Sequence, residues 1–124
     1  MPFAVSDSVS QVLASALDGV SERQRVAADN IANVDTPGFR ARSVDFETQL
    51  KAAISDGTFV AADGNPVATA ITSTPTDTPV GANGNNVDLR KETMVETESQ
   101  YQYQMLTRAV ADKFNLVKSA AMGA

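Results

Sequence analysis

Apolar residues recur at helical spacing through the first third of the chain, in steps of four and three. This face is formed by Leu13, Leu17, Val20, Gln24, Ala27, Ile31 and Val34. The opposite side carries the charged residues Asp18, Glu22, Arg25 and Asp29. Such segregation predicts one long amphipathic helix, in which Gly19 costs about 1 kcal/mol relative to alanine. The helix is expected to end near residues 33–35, because Thr36 precedes Pro37 and is disfavoured in the helical region.

The last third predicts a second long helix, from about Leu89 to Ala121, with Asp88 as its candidate N-cap. Acidic residues crowd its first half and basic residues its second, an order that suits the helix dipole. Its apolar positions cover about half of the circumference, whereas one partner helix requires a stripe of roughly 100°. We interpret the excess as a second partner surface. Tyr101 and Tyr103 point to nearly opposite sides and agree with this interpretation, unless one of them is simply exposed.

The middle of the chain has a different composition. Between positions 55 and 86, 22 of 32 residues are Gly, Pro, Ser, Thr, Asn or Asp. Residues Thr58–Ala62 and Val67–Thr72 are candidate short strands joined by a turn at 63–66. A flexible loop is the favoured interpretation, because the segment has little apolar mass to offset its ordering entropy.

A short helix is predicted just before this segment, beginning near Asp45. Its apolar positions are Phe46, Leu50, Ala53 and Ile54. The expected fold is therefore mainly α, with long N- and C-terminal helices that pair as an antiparallel coiled-coil hairpin around a loop-rich middle. We divide the chain into an N-terminal helix (1–36), a turn, short helix and flexible or weakly β middle (37–86), and a C-terminal helix (87–124). Two such rods bury one stripe each, so they are expected to complete their packing against other subunits; the alternative is a hairpin that acts alone.

Composition excludes most catalytic chemistry. The 124 residues include 10 Lys+Arg, 15 Asp+Glu and no His, Cys or Trp, for a net charge of −5. The usual zinc, haem and iron–sulfur ligands, thiol nucleophiles and the Ser-His-Asp triad are therefore missing. The acidic balance also disfavours nucleic-acid binding.

Carboxylate chemistry is the remaining catalytic possibility. The nearest candidate pairs are Glu96 with Glu98, which point to different helix faces, and Asp63 with Asp77, which lie in the loop-rich middle. Neither pair predicts a preorganised active site. The Asp- and Asn-rich middle also lacks the spaced ligands and closing Glu of a calcium loop. We expect no enzyme activity, no metal and no cofactor.

No stretch of the chain is long and apolar enough to span a bilayer. The N-terminal residues lack the basic start and apolar run of a cleavable secretory signal. The chain is therefore expected to stay in the cytoplasm or to leave it by a route that needs no cleaved signal.

The end of the first helix carries the most specific signal, a motif of Asn30, Ile31, Ala32, Asn33, Thr36, Pro37, Gly38 and Phe39. Pro37 and Gly38 suit the two central positions of a type II turn. The amides of Asn30 and Asn33 can bond free carbonyls at the helix end or the backbone of a neighbouring element. Phe39 is expected to anchor the chain as it leaves the turn. By itself, this is a helix stop with ordinary turn chemistry.

Taken together, the run resembles the N-terminal motif of the bacterial flagellar axial proteins, which form rod, hook and hook junction. In that family the motif reads roughly Asn-(Ile/Leu)-Ala-Asn-x-x-Thr-x-Gly-(Phe/Tyr), and seven fixed positions match here. Within the family, the short chain, the continuation at 40–46 and the segment 84–89 followed by Glu92, Tyr101 and Tyr103 resemble a proximal rod subunit of the basal body. The resemblance covers residues 10–54 and 84–122, and the sister proximal rod protein FlgC is the nearest alternative.

The resemblance implies a mechanical function, in which subunits self-assemble into the drive shaft and export channel that motility requires. It also implies export through the flagellar type III apparatus without a cleaved signal, and a place in the basal body, spanning the periplasm. The implied partners are further copies of the chain, the rod proteins FlgC and FlgF, the adaptor FliE and the export apparatus. No nucleic acid or small-molecule substrate is implied.

Subunit contacts are expected at the apolar positions Leu13, Leu17, Val20, Ile31, Leu106, Val110, Phe114 and Val117. The alternative is that these residues form an intrachain core, and in a two-helix hairpin some of them must do both. A soluble helical adaptor or secretion chaperone is the alternative from a different class. It would also be small, acidic and amphipathic, but it would have no need of the turn motif.

Overall fold

The computed structural model describes the backbone of residues 2–57 and 70–123 and the side chains of residues 8–57 and 70–123. Within these residues the chain forms three helices and two short strands. In chain order these are helix α1 (Pro2–Ala32), strand β1 (Arg42–Val44), helix α2 (Phe46–Ser55), strand β2 (Ser73–Pro75) and helix α3 (Leu89–Met122). The fold is mainly α, as predicted.

Helices α1 and α3 pair as an antiparallel coiled-coil hairpin. Near one end, Lys113 Nζ in α3 lies 2.8 Å from Ser10 Oγ in α1. Toward the other end, Arg23 Nη1 donates to Gln102 Oε1 at 3.1 Å. Residue numbers that increase along α1 therefore lie opposite residue numbers that decrease along α3. The predicted antiparallel pairing of the long helices is confirmed.

Strands β1 and β2 form an antiparallel pair in which Arg42 lies opposite Pro75 and Val44 opposite Ser73. Sequence reasoning did not predict this pair. Of its two candidate strands, Thr58–Ala62 lies outside the described residues, as do the first three residues of Val67–Thr72. The last three residues of that second candidate are described and are not in a strand, and β2 begins directly after them.

The short helix and the predicted N-cap Asp88 are confirmed, and the structure adds Asp45 as the N-cap of α2. The Asp45 carboxylate accepts a hydrogen bond from Thr48 N at 3.2 Å at the start of α2. The Asp88 carboxylate accepts one from Lys91 N, also at 3.2 Å, at the start of α3. Each carboxylate satisfies a backbone donor that has no partner inside its helix.

The core lies between the hairpin and the β1–α2 segment. Its buried residues are Ala16, Val20, Val26, Val44 and Phe46, with the half-buried Leu50, Ile71 and Leu106 packed against them. Phe46 packs directly on Gly19, where the missing side chain lets α2 approach the backbone of α1. A glycine that lowers the propensity of α1 is thus the position that admits the largest core side chain.

The buried surface of α1 is wider than the predicted apolar stripe. Val20 and Ala27 of that stripe are fully buried, but Leu13, Leu17 and Ile31 are only half-buried. The reason is that α1 has two sets of partners: α3 on one side, and β1 and α2 on an adjacent side. Small and polar positions outside the stripe therefore became buried as well, and they include Ser15, Ala16, Gly19 and Asn30.

No helix in the described part of the chain carries an apolar stretch long enough to cross a lipid bilayer.

Candidate functional site

The motif at the end of α1 folds into the predicted turn. Phe39 N donates to Thr36 O at 3.2 Å, which closes the turn around Pro37 and Gly38. Gly38 has φ +75°, the left-handed conformation that the third residue of a type II turn requires. Gly38 N then donates to Asn83 O at 2.9 Å, so the turn is already tied to the segment that enters α3.

Asn30 joins α1 to strand β1. Its amide Nδ2 donates to Arg42 O at 2.8 Å, and its Oδ1 accepts from Arg42 N at 3.1 Å. The side chain is only 1% exposed. One amide group therefore pairs with both backbone groups of a strand residue, as a neighbouring strand would.

Arg23 lies two helical turns earlier and pairs with the same edge of β1. Its Nε and Nη2 donate to Val44 O at 3.1 and 2.9 Å. It also forms an ion pair with Glu47 and stacks over the Phe46 ring at 4.6 Å from the centroid. Strand β1 is thus held by β2 on one edge and by two side chains of α1 on the other, while Arg23 also connects to α2 and, through Gln102, to α3.

Asn33 closes the C-terminal end of α1. Its Nδ2 donates to Asp29 O at 2.8 Å, and its Oδ1 accepts from Thr36 Oγ1 at 3.1 Å. The amide thereby adds a second donor to a carbonyl that already accepts from Asn33 N, and it fixes the first residue of the turn. Both uses predicted for the two motif asparagines are observed: Asn33 bonds the helix end, and Asn30 bonds a neighbouring element.

Asn85, which precedes α3, completes this arrangement. Its Nδ2 donates to Asn33 O at 2.7 Å and to Thr36 O at 2.8 Å. Its Oδ1 accepts from Val87 N at 2.8 Å, so the side chain also shapes its own segment. Asn85 therefore gives a second hydrogen-bond donor to two carbonyls that already accept backbone bonds, from Thr36 N and Phe39 N.

Asn86 holds the start of β1. Its Oδ1 accepts from Ala41 N at 2.6 Å, and its backbone N donates to Phe39 O at 3.4 Å. Its Nδ2 lies 3.3 Å from Thr76 O, beyond the end of β2. We call the four side chains Asn30, Asn33, Asn85 and Asn86 the asparagine clasp.

Two glycines let the two halves of the clasp approach. Gly84 has φ +80°, and a Cβ on it would lie 3.2 Å from Gly38 Cα. The turn after α1 and the turn before α3 therefore pack backbone against backbone. Sequence reasoning used residues 84–89 only as a point of resemblance; three asparagines within four positions just before an N-cap were the signal that this segment bonds another backbone.

The remaining motif residues have less defined surroundings. Ile31 and Phe39 are half-buried, and Ala32 and Pro37 are exposed. The amides and the glycine of the motif thus hold the local structure together, while its apolar side chains remain partly accessible.

The carboxylates do not assemble a catalytic centre in the described residues. Glu96 is half-buried, and its Oε2 is buried without a hydrogen-bond partner, whereas Glu98 is exposed. This difference agrees with the expectation that they point to different faces. Asp63, which forms the other candidate carboxylate pair with Asp77, lies outside the described residues. No three metal-ligating side chains gather anywhere in the described part.

A groove of about 290 Å³ lies between α1, β1 and the first turns of α3. The charged side chains that line it are Arg23, Arg42, Lys91, Glu47, Glu92 and Glu98. Three cations and three anions leave it without a net sign, so nothing selects an anionic or a cationic ligand. We find no chemistry there beyond the connection of the elements that form its walls.

The perturbed carboxyl groups lie at exposed structural positions. Arg25 bonds Glu22 and Asp29 along the outer face of α1. The hydrogen bond from Arg25 lowers the pKa of Glu22, and the same contact raises the pKa of Arg25. Hydrogen bonds from the Thr48 side chain and backbone lower the pKa of Asp45, the N-cap of α2. These shifts belong to a helix surface and a helix cap.

One side of the hairpin has no covering element among the described residues. Residues two apart in a helix lie about 200° apart, so Leu17 points away from the side where Phe46 packs on Gly19. On that far side α1 and α3 form a groove of about 340 Å³. Its apolar lining is Leu13, Ala14, Leu17, Val110, Phe114 and Val117. We call this surface the open groove.

The open groove contains five of the eight positions expected to make subunit contacts. Phe114 is 70% exposed and Val117 is 49% exposed. Val20, by contrast, is fully buried within the chain, and Leu106 packs against the core. Ile31 is half-buried farther along α1. The structure thus separates this set into residues that support the hairpin from within and residues that remain accessible.

Comparisons with known proteins show the family to which the chain belongs. A family model described as flagella basal body rod protein matches residues 11–40, from the first third of α1 through the turn. This match indicates the class of structural rod proteins. The chain is 34% identical over 119 residues to the flagellar basal body rod protein FlgB of Bacillus subtilis (strain 168), covering 91% of this chain and 92% of the relative.

Two further relatives carry the same name. FlgB of Escherichia coli (strain K12) is 35% identical over 114 residues, 77% of this chain and 80% of the relative. FlgB of Borreliella burgdorferi is 28% identical over 116 residues, 82% of this chain and 86% of the relative. The chain belongs to the FlgB family of flagellar basal body rod proteins. It is a structural component of the rod in the basal body, and FlgB is the family indicated over its sister FlgC.

Proposed function

We propose that this rod protein forms part of the proximal rod, where copies of it polymerise into the drive shaft and export channel that motility requires. The observation that carries the proposal is the open groove: both long helices expose apolar side chains on one side of the hairpin. A monomeric soluble protein rarely leaves such a continuous apolar surface exposed without a partner. A rod subunit acquires that partner on assembly.

Subunit contacts in this proposal use the accessible part of the predicted set. Leu13, Leu17, Val110, Phe114 and Val117 line the open groove, and Ile31 lies farther along α1. Val20 and Leu106 hold the hairpin together from inside. The division of the chain into helices 1–36 and 87–124 and a middle 37–86 then assigns the contacts between rod subunits to the two long helices. The asparagine clasp fixes where one part passes into the next.

The partners are further copies of the chain, the rod proteins FlgC and FlgF, the adaptor FliE and the flagellar type III export apparatus. Export without a cleaved signal, followed by assembly in the periplasm, fits a chain that contains no cysteine, since no disulfide can hinder its unfolding. Burial of the apolar helices on assembly then supplies stability that the free chain lacks.

The protein performs no reaction in this proposal. The relatives are named as rod proteins, and the chain offers neither His nor Cys. Of the candidate catalytic pair, Glu96 is half-buried and Glu98 is exposed, so the two carboxylates do not share one site. Its work is mechanical: the subunits transmit torque and enclose a channel.

The test is deletion of the gene, with basal bodies examined by electron microscopy alongside a swimming assay. We expect cells that do not swim and membrane rings that carry no rod, with both defects reversed by the plasmid-borne gene. A plasmid that carries the gene with a stop codon is the matched control. Rods, hooks and swimming in the deletion strain would show that the chain is not an essential rod subunit.

A further inference from the structure

A second apolar surface lies on the opposite side of α3 from the α1 contact. Met94, Tyr101 and Met105 are 68%, 66% and 67% exposed. Met94 lies two residues after the buried Glu92, and Tyr101 two residues after the buried Ser99, which puts both on the far side of the helix. Thr93, Thr97 and Glu98 lie beside them. We call this surface the outer ridge.

The outer ridge and the open groove differ in shape. The ridge is the convex side of one helix, with apolar residues at intervals of seven and four. The groove is the concave seam between two helices. Helices pack by placing the side-chain ridges of one into the grooves of another. Two ridges or two grooves would meet poorly, whereas a ridge fits a groove.

The two surfaces also differ in charge. The charged side chain that lines the outer ridge is Glu98. The charged side chain that lines the open groove is Lys113. Attraction between these opposite charges favours contact of the ridge with the groove.

We propose that the outer ridge of one copy occupies the open groove of the next copy. This inference rests on the proposed function and specifies which surfaces meet in it. Such a contact is heterologous, because each copy offers one of two different surfaces. It leaves a free groove at one end and a free ridge at the other, so it extends from copy to copy.

The geometry sets the displacement between neighbours. Along α3 the centres of the two surfaces are about 14 residues apart, which corresponds to about 20 Å at 1.5 Å per residue. When the α3 helices of neighbouring copies run in the same direction, each copy is therefore shifted by about 20 Å along the helix axis.

Cysteine cross-linking tests the pairing, because the chain contains no cysteine of its own. Thr97 lines the ridge and Ala14 lines the groove, and neither is a large apolar contact. The variants Thr97→Cys, Ala14→Cys and the double variant are expressed in the deletion strain. Isolated basal bodies are treated with a short bis-maleimide and analysed by immunoblot.

We expect a ladder of multimers from the double variant only. Cells that express both single variants together should give dimers, and each single variant alone should give none. A control double variant with Ser21→Cys in place of Thr97→Cys should give no ladder, since Ser21 is exposed on α1 outside both surfaces. Adding Tyr101→Ser to the cross-linking variant should reduce the ladder several-fold.

Other outcomes overturn the inference. Dimers from a single variant alone would show that a surface contacts the same surface of another copy. A double variant that is present in basal bodies but forms no ladder would show that the groove has another occupant, with the proposed function left intact. Absence of the unmodified chain from basal bodies would contradict the proposed function itself. Should the double variant fail to incorporate, Thr93→Cys with Ser10→Cys probes the same two surfaces.

Discussion

Asn30 is a motif residue whose chemistry explains its identity. The side chain must donate to Arg42 O and accept from Arg42 N at the same time. Only an amide offers a donor and an acceptor side by side at this length, and aspartate or leucine of similar size would leave one or both backbone groups unpaired. The residue is therefore required for attachment of β1 to α1.

Replacement of Asn30 by alanine should lower the free energy of unfolding by about 2 kcal/mol, because a buried backbone N–H and C=O lose their partners. Urea denaturation of the purified chain measures this change. Asn115→Ala is the control: Asn115 is exposed on α3, and we expect its replacement to leave the midpoint unchanged. Equal midpoints for both variants would contradict the role assigned to Asn30.

Gly19 shows how packing outweighs propensity. In an isolated helix, Gly19→Ala would stabilise by about 1 kcal/mol. Here the new Cβ would lie 2.7 Å from Phe46 Cβ and overlap the ring. Overpacking of this kind costs about 1–3 kcal/mol, so we expect a net loss of stability.

A double-mutant cycle isolates the cause of that loss. In a Phe46→Ala background every ring atom is absent and only Cβ remains, so Gly19→Ala should cost less than it does in the natural chain. Thermal unfolding followed by circular dichroism provides the four stabilities. Identical costs in the two backgrounds would mean that the Phe46 ring is not what the new methyl group meets.

Helix α2 depends on its first residues. The Asp45 carboxylate accepts from Thr48 N and from Thr48 Oγ1 at 2.8 Å, and these bonds lower its pKa. A lowered pKa in the folded chain means that the ionised cap stabilises α2 at pH values above the ordinary aspartate pKa. That contribution is lost as the pH falls through the lowered pKa.

As the pH falls, α2 should therefore open at a higher pH in the natural chain than in an Asp45→Asn variant, whose cap does not titrate. Hydrogen exchange of the Thr48 amide, followed as the pH falls from about 5 to 2, measures the difference after correction for intrinsic exchange. Asp35→Asn, at an exposed residue outside α2, should behave as the natural chain does. If Asp45→Asn follows the same pH course as the natural chain, the cap is not the origin of the effect.

At the scale of the whole molecule, stability and assembly rest on different residues of α3. Leu106 packs against the core, so Leu106→Asp buries a charge and disturbs the hairpin itself. Phe114 is 70% exposed in the free chain, so its loss removes little packing there. Of these two residues, only Phe114 can be replaced to test assembly without disturbing folding.

Phe114→Ser should leave the free energy of unfolding within about 0.5 kcal/mol of the natural chain. It should nevertheless reduce incorporation into basal bodies and swimming, because a large apolar contact of the open groove is lost. Denaturation of the free chain and immunoblots of isolated basal bodies give the two readouts. Ser119→Ala, at an exposed position one turn farther along α3, is the control and should change neither; full swimming by Phe114→Ser would remove Phe114 from the subunit contacts.

Much of the fold could be predicted because the signals are local. Helix spacing, the Asp88 cap and the Pro-Gly turn each act within a few residues, and all of them are confirmed. The pairing of β1 with β2 was missed. Its two strands are three residues each, with too few alternating positions to produce a pattern, and their partners lie about thirty residues away in sequence.

The candidate site divides in the same way. The motif asparagines were recognised from sequence, whereas Asn85 and Asn86 acquired a role only when their partners at Asn33, Thr36 and Ala41 were located. The subunit-contact residues were identified as apolar, but periodicity does not say which of two adjacent faces a neighbouring element will cover. For that reason Val20 and Phe114 were placed in one set.

The sequence by itself determined the two long helices, their ends, the turn between α1 and β1, and membership of a flagellar rod family. These follow from local backbone preferences and from a motif whose residues are contiguous. Only the tertiary structure decided that Phe46 packs on Gly19 and that Asn30 and Arg23 take the place of a strand at the edge of β1. It also decided which side of the hairpin stays open. The physical reason is that each of these depends on groups distant in sequence competing for the same surface of α1, and that competition is resolved only when the elements pack.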